Sequence, residues 1–357
     1  MNIIPIDNIP DWEMRIKRHD AFWENQIIDR PLVHICCPGK NTVEYPDAPS
    51  NSWKECWYNV EFQTERRIAW AKNTAFMGDM LPFVYPDVGP DIFATCYGGE
   101  IEFEESTSYI KHFLNNWQEF KELSFSRQRE YMLKIEELYD AFFELGKGIF
   151  YVGQPDLHPG ADCLVGLRGP SELCMDLFDD PVGIKEALKI VEKDFYPVFD
   201  YFIDKAFAHN QPITGWPTIV STKKWHVPSN DFSYMISPEQ FNEFFLEGIK
   251  RECDHAEASI YHLDGKGALC HLDSLLEIES LNAVQWVFGA GNGRATDWLD
   301  VYKKVQAKNK GLQIPVEPDE IDCIKENLSP EGVHLIVRNV SDKEMGEAVL
   351  KKISSWK

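Results

Sequence analysis

Positive charge is scarce in this chain. Its 357 residues carry 36 Lys and Arg against 58 Asp and Glu, a formal net charge of −22. Phosphate backbones and anionic headgroups repel such a surface, so neither nucleic acid nor a membrane is an expected partner. No basic run offsets it: the densest are Arg15, Lys17 and Arg18, and the pair Lys303 and Lys304. Also lacking is any stretch near the ~18 consecutive apolar residues of a membrane span. The opening Met-Asn-Ile-Ile-Pro has neither the basic nor the apolar region of a secretory signal. The nine cysteines are odd in number and contain no CxxC pair, which argues against a disulfide framework. A reducing, cytoplasmic setting with mostly buried thiols is expected. Nucleotide and nucleophile motifs are missing too: there is no GxGxxG, Walker A, GxSxG or HExxH.

What the chain does have is a globular make-up, 44% hydrophobic and 13% aromatic with 11 Trp, which excludes overall disorder. With no repeat and no low-complexity linker, residues 1–357 read as one domain. A helical pattern from Trp12 to Gln26 leads into an apolar strand, Pro31 to Pro38. A polar loop to Ser52 precedes a helical stretch, Trp53 to Ala71. Alternating apolar and acidic residues from Gly99 to Phe113 predict an exposed antiparallel hairpin. An amphipathic helix from Phe125 to Leu145 follows. Strands are then expected at 148–153, 212–220, 258–264, 282–288, 312–316 and 333–337. Helices are expected between them, one of them (Pro181 to Ala208) broken at Pro197. About eight strands alternating with helices predict a (β/α)8 barrel with N-terminal helical and hairpin decorations.

Catalytic groups in such a barrel sit where strands run out into loops. His262 and Asp264 end one strand at spacing i, i+2, so both side chains point the same way. They suit two ligands to one Zn²⁺, an acid/base pair, or a structural hydrogen bond. Asp156 and His158 repeat that spacing at another strand end, although Asp and Pro-Gly there also form turns. Asp231 precedes the helix start at Ser237-Pro238, and Glu317 follows a short apolar strand as an extra ligand or base. The loop Gly289-Ala-Gly291-Asn292-Gly293 leaves room for a ligand near the backbone, or is only a tight connection. Cys36, Cys37 and Cys270 read as buried fillers.

Tyr261-His262-Leu263-Asp264-Gly265, His271-Leu272-Asp273 and Val284-Gln285-Trp286-Val287 resemble the uroporphyrinogen decarboxylase superfamily, in its divergent bacterial decarboxylase-like and methyltransferase-like branch. Asp29-Arg30-Pro31-Leu32-Val33, Leu167-Arg168-Gly169-Pro170-Ser171-Glu172-Leu173 and Ile236-Ser237-Pro238-Glu239 agree with it. The resemblance is diffuse and runs from about residue 20 onward. It implies a (β/α)8 barrel and one of two chemistries: metal-free decarboxylation of uroporphyrinogen, or zinc-assisted methyl transfer involving a corrinoid protein or a thiol. Where the methyltransferases usually carry His-x-Cys, this chain has His262-Leu263-Asp264, an oxygen-rich set that still suits Zn²⁺.

The expectation is therefore a methyltransferase that moves a methyl group from a small methoxy or methylamine-type substrate to a corrinoid protein. His262, Asp264 and Glu317 would hold Zn²⁺, with Asp156, His158 and Asp231 catalytic. Gly289, Gly291 and Asn292 would contact the cofactor, and Trp216, Trp225, Tyr234 and Trp286 would wall the pocket. A homodimer is the expected assembly. The alternative is a metal-free decarboxylase, of uroporphyrinogen or a smaller aromatic acid, with Asp79 or Asp87 stabilising a protonated ring. A net charge of −22 argues against an octa-anionic tetrapyrrole, provided the pocket shares the sign of the surface.

Overall fold

The computed structural model describes residues 3–40 and 42–357. Among the described residues there are thirteen strands: β1 (Leu32–Pro38), β2 (Thr74–Gly78), β3 (Phe83–Val84), β4 (Ile101–Phe103), β5 (Ser108–Ile110), β6 (Tyr151–Val152) and β7 (Ile213–Thr214). They continue with β8 (Val220–Ser221), β9 (Trp225–His226), β10 (Ala258–Asp264), β11 (Ala283–Val287), β12 (Gly311–Val316) and β13 (Val333–Val337). Seven form the central sheet in the order β2-β1-β13-β12-β11-β10-β9. All of its pairings are parallel except β1 with β2. Strand β12 is buried along its whole length, as a parallel strand covered on both faces must be.

The fold is thus mixed α/β and barrel-like, but among the described residues its hydrogen bonds do not close into an eight-stranded ring. The gap between β2 and β9 is filled by two small patches, β3 with β6 in parallel and β7 with β8 antiparallel. Gly153 N extends the first by donating to the Val84 carbonyl, and Gln154 N joins it to the second by donating to the Thr214 carbonyl. Pro82, Pro86, Pro155, Pro212 and Pro217 explain the shortness of these strands, since each removes a ladder donor.

Several boundaries differ from the sequence reading for local reasons. The strand expected at 212–220 is instead a hairpin, because Pro217 turns the chain and Thr218 takes a positive φ of 63°. The helix Pro181–Ala208 runs unbroken through Pro197, which sits on its solvent face, where water can serve the freed carbonyl. Trp53 to Ala71 splits into helices Trp53–Tyr58 and Val60–Asn73, because the Asn59 side chain caps the second by accepting from Phe62 N. The exposed hairpin expected near residues 99–113 is β4 with β5.

The helix Trp12–Trp23 lies against the β7–β8 hairpin. Its Trp23 indole donates to the Val220 carbonyl at 2.8 Å, and His19 Nδ1 accepts from Val220 N. Gly78, at φ 66°, turns the chain where a Cβ would lie 2.4 Å from the Val33 carbonyl. The next residue, Asp79, is fully buried. Its carboxylate takes Arg30, Arg18 and Val33 N. No described helix is long and apolar enough to cross a membrane.

Candidate metal and substrate site

In β10, His262 and Asp264 are the two partly exposed positions, and the other five are buried. The loop after β9 runs alongside: Ser229 bridges to His262, and His262 N donates to the Pro228 carbonyl at 3.0 Å. That register carries Asp231 to the pair. One ligand atom from each of Asp231, His262 and Asp264 lies within 4.8 Å of the other two. This one-nitrogen, two-oxygen set fits Zn²⁺, with room left for a substrate atom. Burial raises the Asp264 carboxyl, and the neighbouring His262 offsets part of that rise.

A row of buried polar side chains fixes the His262 ring. His262, Gln285, Gln313 and His334 face one another in register across β10, β11, β12 and β13. The Pro217 carbonyl can only accept, so Gln313 must present its amide N–H there, at 2.6 Å. The same Nε2 donates to His334 Nδ1 at 3.0 Å. Gln313 Oε1 then accepts from Gln285 Nε2, and Gln285 Oε1 must accept from His262 Nδ1. The network thus puts a proton on His262 Nδ1, so the neutral ring carries its lone pair on Nε2, the form a metal requires. The Trp216 ring packs edge-on against His262, 4.8 Å between centroids.

Asp156 and His158 belong to a second row that abuts the first. His158 Nε2 lies 2.6 Å from Asp156 Oδ1, and its Nδ1 contacts Ser229 Oγ. Ser229 donates to Asp162 Oδ2, while Asp162 Oδ1 accepts from the backbone N–H of Asp231 at 3.0 Å. Since Ser229 spends its proton on Asp162, both imidazole nitrogens of His158 donate. Burial alone would lower the His158 pKa, but the carboxylates of Asp156, Asp162 and Asp231 outweigh it and lift the value to about 10. His158 is therefore a fixed cation at neutral pH and holds Asp156 in place.

Other expected residues lie elsewhere. Glu317 does not join the ligand group: its two oxygens accept from Asn339 Nδ2 at 3.0 Å. Trp225 and Trp286 have no exposed surface; Trp225 donates to the Ile213 carbonyl in β7, and Trp286 packs on Trp298. Both are core, not pocket wall, because strands covered on two faces bury their aromatic positions. Tyr234 is exposed and lies over Gly265 and Gly267. Gly289 and Gly291, both at positive φ, line a cavity of about 340 Å³ that Asn292 does not line. The helix start beyond them is already served, since Thr296 N donates to Glu320 and Arg294 pairs with Asp319.

A larger cavity, about 650 Å³, was not foreseen. The helices Trp53–Tyr58 and Val60–Asn73, β3 and the tip of the β4–β5 hairpin enclose it. Trp53, Trp57, Phe62 and Trp70 give it aromatic walls, and Arg66, Arg67, Tyr85 and Asp87 its polar groups. Thr218 lines it as well, so the cavity reaches the β7–β8 turn, whose Trp216 packs on His262. Burial raises the Asp87 carboxyl; Arg67 opposes the rise and Asp156 adds to it. Helical spacing in the sequence is the only signal for Arg66 and Arg67, and it does not say what that face meets.

No protein-family profile and no curated protein sequence matches the chain. Among solved structures, a methyltransferase from Methanosarcina mazei is similar in fold, with a TM-score of 0.60 and 12% sequence identity. The match covers 95% of this chain and 97% of that one.

Proposed function

We propose that the protein is a metal-dependent methyltransferase that takes a methyl group from a small methylated substrate and delivers it to a corrinoid carried by a partner protein. The observation that carries this reading is the convergence of Asp231, His262 and Asp264 within 4.8 Å. The fold shared with a solved methyltransferase supports the reaction class. Bound there, Zn²⁺ would supply Lewis acidity at the substrate heteroatom.

The chain's own residues do the rest. Gln285 aims the His262 lone pair, and Asp162 fixes the backbone that carries Asp231. The charge of His158 holds the Asp156 side chain in place beside the site. The decarboxylase alternative loses one of its acids, because Asp79 is fully engaged by Arg18, Arg30 and Val33 N.

Elemental analysis of purified protein, paired with methyl transfer to cob(I)alamin followed by absorbance, tests the proposal. The expected result is about one Zn²⁺ per chain, lost in His262→Ala together with transfer. Metal content unchanged in His262→Ala would sink it.

A further inference from the structure

Arg67 is a cation without an ion-pair partner in a cavity that Asp87 and Glu105 also line. Its Nε is enclosed without a hydrogen-bond partner, and among the described residues no carboxylate lies within ion-pair distance of Arg66 or Arg67. Arg66 contacts only Gln63, at 3.3 Å, and the face of Phe62. Burial and then the adjacent Arg66 charge pull the Arg67 pKa below its ordinary value, and the more distant Asp87 and Tyr85 only partly restore it. A chain with 22 surplus negative charges has ample carboxylates to neutralise two arginines, yet none reaches them. A buried guanidinium is costly until an anion meets it, and its planar fork matches a carboxylate.

Flat apolar walls surround these charges. Trp57, Trp70 and Phe62 face the same 650 Å³, a volume within the range of small-molecule pockets. Its far wall includes Thr218, in the turn that packs Trp216 on His262. We infer that this cavity is the substrate pocket and that its ligand is an aromatic carboxylate, with the acid on Arg66 and Arg67 and the ring among the tryptophans. The inference rests on the proposed methyl transfer only in that the acid would carry the methyl group; binding does not depend on it.

Calorimetric titration of the full-length protein with 4-methoxybenzoate, methoxybenzene and 4-methoxybenzylamine tests the inference. The acid should bind about 10- to 100-fold tighter than the uncharged ring, and the amine weakest. Arg67→Met should abolish that preference while leaving methoxybenzene binding unchanged, and Arg67→Lys should keep part of it. Equal binding of the three probes, or full preference in the Arg66→Met/Arg67→Met protein, overturns the inference. If Arg67→Met does not fold, the wild-type comparison of the three probes still decides. Acid binding without any methyl transfer leaves this inference standing and removes the methyltransferase reading. Methyl transfer from other donors without acid binding does the reverse.

Discussion

Asp162 holds Asp231 by its backbone: one carboxylate oxygen accepts the Asp231 N–H at 3.0 Å, and the other accepts the Ser229 hydroxyl, also at 3.0 Å. Two rows of polar groups that look separate in sequence therefore meet at one carboxylate. Groups that orient a ligand without touching the metal typically change affinity 10- to 100-fold when removed. Asp162→Ala should weaken Zn²⁺ binding by about that factor in competition with a chromophoric chelator. Asp162→Asn, which keeps the acceptor toward Asp231, should recover much of it. Equal affinity in wild type and Asp162→Ala would refute the positioning role.

Stability should depend on pH through a buried pair behind this row. Glu252 and His226 lie 2.9 Å apart. Burial raises the Glu252 pKa to about 8, and burial together with the His158 charge lowers that of His226 to about 3. Both are uncharged at neutral pH, with Glu252 donating to His226. The folded Glu252 keeps its proton where the unfolded one has lost it, so its contribution declines from its ordinary value, 4.5, up to about 8. His226 acts oppositely from about 3 to 6.5, where only the unfolded state is protonated. The two cancel between 4.5 and 6.5, and stability falls on either side. His158, raised to about 10, deepens the alkaline loss. The contribution of this pair should therefore be greatest between about pH 4.5 and 6.5 and decline toward pH 8. Glu252→Gln should flatten the alkaline fall in melting temperature; a slope unchanged by that substitution would contradict the assignment.

Asp79 is a structural anchor. Arg30 Nη1 lies 2.5 Å and Arg18 Nη1 3.1 Å from its carboxylate, which is wholly buried. Removing one member of such a group leaves charges stranded, at a cost of about 3–5 kcal/mol. Asp79→Ala should lower urea stability by that order while leaving the Zn²⁺ content of the folded fraction unchanged. A loss under about 1 kcal/mol would show the cluster to be solvated.

Much of the site could be read from β10 alone, because i, i+2 spacing on a strand fixes which side chains share a face. His262 and Asp264 do so. The third member could not be read the same way. Asp231 was expected near the chemistry but not with this pair, since a loop running in register with β10 brings it there. Glu317, just past the end of β12 and two strands from β10, instead turns to Asn339. Composition pointed to tryptophans around a pocket, but burial decides which ones, and it placed Trp225 and Trp286 in the core. The proviso attached to the acidic surface mattered, since Arg66 and Arg67 bring two cations into a cavity that Asp87 and Glu105 also line. The alternating pattern conveyed the parallel sheet, and the five prolines between β2 and β9 concealed the short strands there.

The row from His262 to the Pro217 carbonyl acts as a latch on an isotope-detectable state. Reversing the His262 tautomer requires both glutamine amides to rotate together, and a rotated Gln313 would set its oxygen against a carbonyl that offers no proton. Nitrogen NMR of the metal-free protein should accordingly show one pyrrole-like Nδ1 and one pyridine-like Nε2, without averaging. Gln313→Leu should release the latch and blend the two signals. An imidazole in β10 thus takes its chemical form, through two glutamines, from the carbonyl of a proline in the β7–β8 turn.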